Sequence, residues 1–192
     1  MKLNKIPALV LGCAMLAGMM LGCNANDVPA ETQLPSAGTE ALEEKRFDLN
    51  NEALDGTAID NTVYEANELT LVNVWATWCG PCVKEIPDLQ KIHKEDNGFG
   101  VVGILYDSFD SKSGQRSQEA MDTAMEILEK TGALYPMVIP DSGFIENNFQ
   151  GAASLFPMSF IVDSQGVIVK GPVGGAHTYE EWLEILNEAA GR

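Results

Sequence analysis

The sequence predicts an α/β fold in which a central mixed β-sheet has helices on both faces. Two apolar runs of strand length, 69–75 and 99–106, are rich in β-branched residues, as buried parallel strands are. Each is followed, after a connection, by a segment of helical periodicity. Two further runs, 160–163 and 167–170, flank a short Ser-Gln-Gly connection that favours an antiparallel hairpin. Parallel and antiparallel strands together predict a mixed sheet.

The composition limits the classes of function. The 192 residues include 12 Lys and Arg against 28 Asp and Glu, which gives a formal net charge of −16 at pH 7. Such an acidic chain lacks the basic surface that nucleic-acid binding requires. It is equally unsuited to electrostatic docking onto anionic lipid. The length fits one folded domain preceded by a leader.

The first 22 residues have the features of a signal peptide. Lys2 and Lys5 precede an uncharged apolar stretch at the short limit for crossing a bilayer. The stretch ends in Met-Leu-Gly before Cys23, which resembles the bacterial lipoprotein signal, in which the cysteine thiol is acylated. We therefore expect a lipid-anchored, extracytoplasmic protein. An uncleaved anchor and ordinary secretion are the alternatives, and both also place the domain outside the cytoplasm.

Residues 23–45 are rich in Ala, Glu, Pro, Thr and Ser, a composition that favours a disordered tether. About twenty such residues have an r.m.s. reach of roughly 25 Å, enough to present the folded domain, 46–192, to a membrane partner. The folded part begins at 47–49, and 58–60 with 63–64 favour a second short strand.

The central motif follows the first apolar run directly and consists of Trp78, Cys79, Gly80, Pro81 and Cys82. Helical spacing follows, so Cys79 stands at a strand-to-helix junction, where free backbone N–H groups and the helix dipole stabilise negative charge. The thiolate is the reactive form of cysteine, and such a location favours it. Two intervening residues let the sulfurs join within one turn. The motif is therefore suited to cycling between dithiol and disulfide.

Two other interpretations of the cysteine pair remain. The pair could be half of a zinc site, but tetrahedral zinc needs two further ligands. The other candidates are Cys13 and Cys23, both in the leader, and the histidines His93 and His177. A purely structural disulfide that closes so short a loop would add little stability by chain entropy. Redox exchange is the favoured interpretation.

Residues 72–87 contain this motif and end in Lys-Glu-Ile-Pro. They resemble the active site of the TlpA/ResA-like branch of the thioredoxin superfamily. The redoxin and AhpC/TSA proteins belong to the same superfamily. The resemblance extends over 47–190. It implies a thioredoxin-like fold with an N-terminal β-hairpin and a strand–helix insertion. It also implies a monomeric, membrane-tethered thiol-disulfide oxidoreductase that needs no cofactor beyond a redox-active disulfide.

The resemblance assigns roles within the motif. Cys79 would attack a partner disulfide, and Cys82, more buried and higher in pKa, would resolve the mixed disulfide. Trp78 would contribute to an apolar platform for the partner. Gly80 and Pro81 resemble thioredoxin, whose reduction potential is about −270 mV, against about −120 mV for a strong periplasmic oxidant. This similarity favours reduction of partner disulfides.

Two positions outside the motif are candidates for tuning it. Glu85, one helical turn after Cys82, matches a Glu that tunes the cysteine acidities in TlpA/ResA-like proteins. An exposed helix charge is the alternative. Asn73 stands where thioredoxins have a buried Asp, so this chain departs from that pattern. Pro87 should kink the helix, and we expect His93 to be a surface or half-buried residue.

The middle of the chain predicts a polar loop, 107–117, and a helix, 117–130, that ends at Gly132. Met121 and Met125 lie on one face of this helix, and we expect them in the core rather than at a soft metal site. The preceding strand, this loop and this helix match the insertion that marks the TlpA/ResA-like branch.

Towards the C-terminus, 135–139 predict a strand whose Pro136 favours an edge position or an irregular start, and 145–153 predict a short helix. Phe156-Pro157 precedes an apolar strand and resembles the cis-proline of the family. There the backbone of the residue before the proline pairs with the bound substrate chain.

The last segment predicts a Gly-rich turn beside the active site, 171–176, next to His177. Thr178 and Glu181 form a capping box that opens a final helix. Its core face is expected to consist of Trp182, Leu183, Ile185 and Leu186.

We therefore expect an extracytoplasmic reductase of protein disulfides, supplied by a membrane electron carrier. Its partners would belong to cytochrome c maturation, methionine sulfoxide reduction or other exported proteins. One alternative is an oxidant that forms disulfides in exported proteins. A second alternative is a thiol peroxidase, but such an enzyme needs a lone peroxidatic cysteine and a distant resolving cysteine, and this chain lacks that arrangement. A non-catalytic binding module on this scaffold commonly loses a cysteine, and this chain keeps both.

Overall fold

The structure, a computed structural model, describes three stretches of the chain: residues 45–110, 113–149 and 155–192. The predicted signal peptide, most of the predicted tether and Cys23 lie outside them. Within these stretches no helix combines the length and apolar character needed to cross a bilayer.

The described chain forms one seven-stranded sheet and a separate two-stranded ribbon. The strands are β1 (Asn50–Ala53), β2 (Ala58–Asp60), β3 (Leu69–Trp75), β4 (Phe99–Leu105), β5 (Phe109–Asp110), β6 (Gln115–Arg116), β7 (Met137–Ile139), β8 (Met158–Asp163) and β9 (Ile168–Gly174). The helices are α1 (Thr62–Glu65), α2 (Gly80–Lys94), α3 (Gln118–Thr131), α4 (Ser142–Phe149) and α5 (Tyr179–Ala189).

The large sheet has the order β2-β1-β7-β4-β3-β8-β9. Its inner strand β3 is parallel to β4 and antiparallel to β8, so the predicted mixed sheet is confirmed. Every residue of β3 and β4 is buried. Strands covered on both faces are apolar along their whole length rather than alternately, which is why these two runs were recognisable in the sequence. The predicted bounds of β3 match those observed.

Helices cover both faces of the sheet, as the fold class predicts. On one face of the sheet, side chains of α2, α3 and α5 pack against the strands and form a core that includes Trp75, Ile86 and Trp182. The other face is covered by α1, α4 and the segment before β1, whose Phe47 packs near Phe144. The cysteine motif belongs to the first of these two cores.

The predicted N-terminal hairpin is present, with different bounds. Residues 47–49 precede the first strand, and β1 pairs antiparallel with β2. The prediction of strand structure at 63–64 is wrong, because these residues belong to α1. The side chain of Asp60 accepts hydrogen bonds from the N–H and the hydroxyl of Thr62, at 3.0 and 2.6 Å. Such a local turn ends a strand and lets a helical turn begin.

The strand after Pro136 is not at an edge, which corrects one of the two expectations for it. Strand β7 lies between β1 and β4. The other expectation is confirmed, because Pro136 lies just before the strand. Its carbonyl accepts the N–H of Gly103 at 2.9 Å, so the proline supplies the acceptor that pairing requires.

Helix α3 corrects the expectation that both methionines are core residues. Met125 is 49% exposed, and Met121 is only partly buried. The residues that α3 buries are Ala120 and Ala124. Small side chains let the helix approach the core closely and leave the long Met125 side chain at the periphery. The predicted end of the helix is confirmed, because Gly132 has φ +71°.

Three further predictions differ in detail. The loop 107–117 contains part of a 3₁₀ turn and the β5–β6 ribbon. Helix α4 begins at Ser142, and 150–154 lie outside the described residues. The segment 171–174 is not a turn but the end of β9, where Gly174 pairs with Met158. The hairpin of β8 and β9 and the capping box of α5 are confirmed.

Candidate active site

Cys79 and Cys82 are joined by a disulfide where β3 ends and α2 begins. Cys79 is the N-cap residue of α2, and its Sγ accepts the N–H of Cys82 at 3.2 Å. Cys82 is 1% exposed and Cys79 5% exposed, which agrees with the expectation that Cys82 is the more buried of the two. Among the described residues, no group of three or more His, Cys, Asp and Glu is arranged to hold a metal ion.

The turn before the cysteines is held by a carboxylate from another part of the chain. Asp107 accepts the Thr77 N–H at 3.1 and 3.2 Å and the Thr77 hydroxyl at 2.6 Å. The Cys79 N–H in turn donates to the carbonyl of Ala76. Asp107 belongs to the 3₁₀ turn after β4, so the inserted segment is tied directly to the motif. The sequence predicts Asp107 only as part of a polar loop, and no pattern in the sequence indicates a role for its side chain.

Glu85 lies inside the protein, 2% exposed, so the alternative of an exposed helix charge is wrong. Its Oε1 accepts the indole N–H of Trp182 at 2.7 Å and the backbone N–H of His177 at 2.9 Å. Its Oε2 accepts from Nδ2 of Asn73 at 3.3 Å. Burial raises the pKa of Glu85 from 4.5 to about 7, although these hydrogen bonds favour the ionised form.

Asn73 connects the carboxylate to the sheet. It is 1% exposed in the middle of β3, in register with Ser159 of β8. Its Nδ2 also donates to the Ser159 hydroxyl at 3.0 Å. Asn73 therefore holds Glu85 by a hydrogen bond from the middle of β3.

An aromatic surface, formed by Trp78, Tyr106 and Phe156, lies next to the disulfide. Trp78 is 65% exposed and meets Phe156 edge-on, with ring centroids 5.5 Å apart. Phe156 packs on Tyr106 at 4.9 Å. The peptide bond between Phe156 and Pro157 is cis, as the resemblance implied. The sequence predicts Tyr106 only as the end of a strand, and no pattern in the sequence indicates its place in this surface.

The remaining motif residues fit the start of the helix. Pro81 lies in the first turn of α2, where its missing N–H is not needed. The space beside Gly80 is open, with no atom within 4 Å of where a Cβ would stand. Helix α2 continues past Pro87 to Lys94. His93 is half-buried near the ring of Tyr135, and burial lowers its pKa.

The chain is similar to known redox proteins over most of its length, and the family model described as Redoxin matches residues 29–184. The chain belongs to the Redoxin family. A thiol-disulfide oxidoreductase ResA from Halalkalibacterium halodurans is 29% identical over 163 residues, which are 84% of this chain and 83% of the relative.

Solved structures show the same fold in other redox proteins. A thioredoxin-family thiol:disulfide interchange protein from Chlorobium tepidum superposes with a TM-score of 0.58 at 23% identity, covering 76% of this chain and 97% of the other. The exposed lipoprotein thioredoxin of Streptococcus pneumoniae gives a TM-score of 0.53 at 24% identity, covering 73% and 98%. The thioredoxin-like fold is thereby confirmed.

This redoxin is therefore a thiol-disulfide oxidoreductase. Enzymes of the family act on protein thiols and disulfides through a cysteine redox centre and use no further cofactor. The structure brings together most of the residues singled out in the sequence: Asn73, Trp78, Cys79, Cys82, Glu85, Phe156 and Pro157. The structure adds four residues to the site: Asp107, Tyr106, Ser159 and Trp182. From the sequence these residues were recognisable only as members of a strand, a loop or the core face of a helix.

A cavity of about 590 Å³ lies away from this site, between the N-terminal hairpin and the end of α3. Its lining includes Leu54, Ile59, Met125, Leu134 and Tyr135. Its lining contains neither cysteine nor any member of the aromatic surface, so thiol chemistry is centred on the disulfide and not on this cavity.

Proposed function

We propose that this redoxin is an extracytoplasmic reductase of protein disulfides and that Cys79 and Cys82 are its redox centre. The observation that carries the proposal is the disulfide at the N-terminus of α2, next to an exposed aromatic surface and one helical turn from a buried carboxylate. The Gly-Pro pair between the cysteines supports the direction, since thioredoxin, a reductant, has the same pair.

The reaction transfers two electrons in two steps. In the dithiol form, the Cys79 thiolate attacks one sulfur of the partner disulfide. A mixed disulfide forms and the other partner sulfur leaves as a thiolate. The Cys82 thiol then loses its proton and attacks Sγ of Cys79. The Cys79–Cys82 disulfide forms, and the partner is released with both sulfurs reduced.

Glu85 is the proposed acceptor of the Cys82 proton. The two residues are one turn apart on α2, and both are nearly inaccessible to solvent. A carboxylate whose pKa is raised to about 7 by burial is well matched to proton exchange near neutral pH. Asn73 would hold the carboxylate in place while the proton moves.

The partner chain would lie across the aromatic surface. Trp78 offers an exposed ring, and the backbone of Phe156, before the cis-proline, is the proposed pairing segment for the partner. Aromatic rings provide large contact areas with little loss of rotamer entropy. The bulk of Phe156 would favour an extended partner segment with small or apolar side chains beside its cysteine.

Outside the cytoplasm the protein needs a source of electrons. The proposed donor is a membrane electron carrier with a dithiol of its own, which would reduce the Cys79–Cys82 disulfide by the reverse of the steps above. A lipid on Cys23 would keep the domain near such a carrier. The signal-like sequence before Cys23 supports this anchor, as does the likeness to a pneumococcal protein described as an exposed lipoprotein thioredoxin.

The decisive experiment is an equilibrium titration of the cysteine pair in residues 46–192 against a dithiol couple of known potential. We expect a value near or below about −230 mV, which suits a reductase. A value of about −120 to −150 mV would instead identify an oxidant of exported proteins. Single substitutions identify the attacking sulfur, because Cys82→Ser should accumulate a mixed disulfide with a reporter protein and Cys79→Ser should not.

A further inference from the structure

The two oxygens of the Glu85 carboxylate are in different surroundings. Oε1 accepts two short hydrogen bonds, from the indole of Trp182 at 2.7 Å and from the His177 backbone at 2.9 Å. Within the described part of the chain, Oε2 accepts a single longer bond, from Asn73 at 3.3 Å. The Asn73 amide has two N–H groups and donates the other to Ser159, at 3.0 Å. Its bond to Oε2 is longer, and therefore weaker, than either bond to Oε1.

This asymmetry decides where a proton can bind. A carboxylate oxygen has two lone-pair sites, and at Oε1 both are directed to N–H donors. A proton on Oε1 would displace one of them and leave a buried donor without a partner, which is costly. Oε2 has a free site and a weaker bond to lose. The proton of Glu85 therefore belongs on Oε2.

We propose that Trp182 is a positioning residue that reserves Oε1 of Glu85 and thereby directs proton exchange with Cys82 to Oε2. The inference rests on the role proposed above for Glu85. Trp182 lies on α5, 97 residues from Glu85. The C-terminal helix thus reaches into the redox centre by a side-chain donor and, through His177 just before it, by a backbone donor.

Other polar groups near Glu85 come from each element packed against it. They are Asn73 of β3, Ser159 of β8, Tyr135 before β7, His177 before α5, and Cys82 and Asp88 of α2. Of these, Asp88 acts on the titration of Glu85 by charge, and it raises the pKa. The N–H donors act in the opposite direction, because they stabilise the ionised carboxylate.

The chain offers a matched control for the indole. Trp182 and Trp75 are both completely buried and both belong to the same core. The Trp75 indole donates to Sδ of Met137 at 2.8 Å instead of to the carboxylate. Trp182→Phe and Trp75→Phe therefore remove similar volumes and one buried donor each. Only the first substitution removes a hydrogen bond to Glu85.

The experiment follows the side-chain carboxyl of Glu85 in the oxidised protein by ¹³C NMR, with Glu85→Gln used to assign the resonance. We expect Trp182→Phe to raise the titration midpoint by about one pH unit, the size expected for one charge-assisted hydrogen bond. The pH dependence of the rate at which the reduced protein reduces oxidised glutathione should shift in the same direction. Trp75→Phe should move neither.

A second measurement follows the indole resonances in the wild-type protein, which keeps both tryptophans. The indole ¹H–¹⁵N resonance of Trp182 should titrate with the midpoint of Glu85, and that of Trp75 should not. The inference would be overturned if the Trp182 resonance did not change with pH around this midpoint. It would also be overturned if Trp182→Phe and Trp75→Phe shifted the titration midpoint of Glu85 equally. If Glu85→Gln leaves the rate profile unchanged, the role proposed for Glu85 also fails. If Glu85→Gln alters the pH profile of the rate but Trp182→Phe leaves the titration midpoint of Glu85 unchanged, only the inference about Trp182 is overturned. The role proposed for Glu85 then stands.

Discussion

At the scale of single residues, the most informative side chain is a carboxylate without an ion-pair partner in the described chain. Glu85 is nearly inaccessible and is held by three N–H groups. Burial of a carboxylate costs free energy when it is charged, so the site favours the protonated form up to about pH 7. Such a group destabilises the folded protein at alkaline pH, and a carboxyl whose pKa is raised to about 7 suits the proposed role in proton transfer.

The pH dependence of folding should reveal this cost. The pKa of Glu85 is raised from 4.5 to about 7, so folded protein holds a proton that the unfolded chain has released. The stabilising effect of that proton is complete below pH 4.5 and is lost as the pH rises to about 7. Glu85→Gln should therefore gain stability relative to the wild type between pH 5 and 8, by up to about 3 kcal/mol.

Urea unfolding of the oxidised protein at several pH values measures this difference. Glu184→Gln on α5 is the control, since it removes an exposed carboxylate by the same substitution. A difference between Glu85→Gln and the wild type that does not change with pH would show that the buried carboxylate does not bind its proton as inferred.

At the scale of elements, the start of α5 holds the redox centre from the far end of the chain. The Thr178 hydroxyl accepts the Glu181 N–H at 3.4 Å, and Glu181 accepts the Thr178 N–H at 2.8 Å. This capping box begins immediately after His177, whose N–H is bound to Glu85. A well-defined helix start therefore also defines the position of the donors to the carboxylate.

Removing this cap should affect both stability and chemistry. Thr178→Ala should cost about 1 kcal/mol and should also alter the pH profile of disulfide reduction, because the donors to Glu85 lose their support. Ser117→Ala is the matched control, since Ser117 caps α3 by accepting the Ala120 N–H at 3.2 Å, away from the carboxylate. It should cost a similar amount and leave the pH profile unchanged. Equal pH profiles in the two variants would contradict this account.

At the scale of the whole molecule, the chain combines an acidic domain with a proposed leader, whose last residues resemble a lipoprotein signal. A net charge of −16 does not favour adsorption to anionic membranes, so association with a membrane would come from the proposed covalent lipid or from an uncleaved anchor. The domain carries its own redox centre. The proposed lipid would therefore affect location and leave the chemistry of the cysteine pair unchanged.

Substitution of the proposed lipid-bearing residue tests this division. With the full chain produced in a bacterium that processes lipoproteins, Cys23→Ala should move the protein from the membrane to the soluble extracytoplasmic fraction. Cys13→Ala, in the same leader, should leave it in the membrane. Fractionation with an immunoblot measures both. Membrane association that survives Cys23→Ala would favour an uncleaved anchor instead.

The sequence by itself determined those features that depend on near neighbours. The bounds of β3, the position of Cys79 at the start of α2, the left-handed Gly132 and the capping box of α5 all arise from residues a few positions apart. Local hydrogen bonds and apolar periodicity specify such features, and a motif as specific as Trp-Cys-Gly-Pro-Cys also identified the family. The fold class followed from the alternation of strand-like and helical segments.

Only the tertiary structure decided which distant groups surround the redox centre. Glu85 is bound by donors 12, 92 and 97 residues away, and Asp107 holds a turn 30 residues before it. Helical spacing could not distinguish a buried Glu85 from an exposed one. It likewise could not place β7 inside the sheet or Met125 outside the core. These outcomes depend on strand register and helix packing, which are set by the summed contacts of the whole core and leave no periodic signal in any one segment.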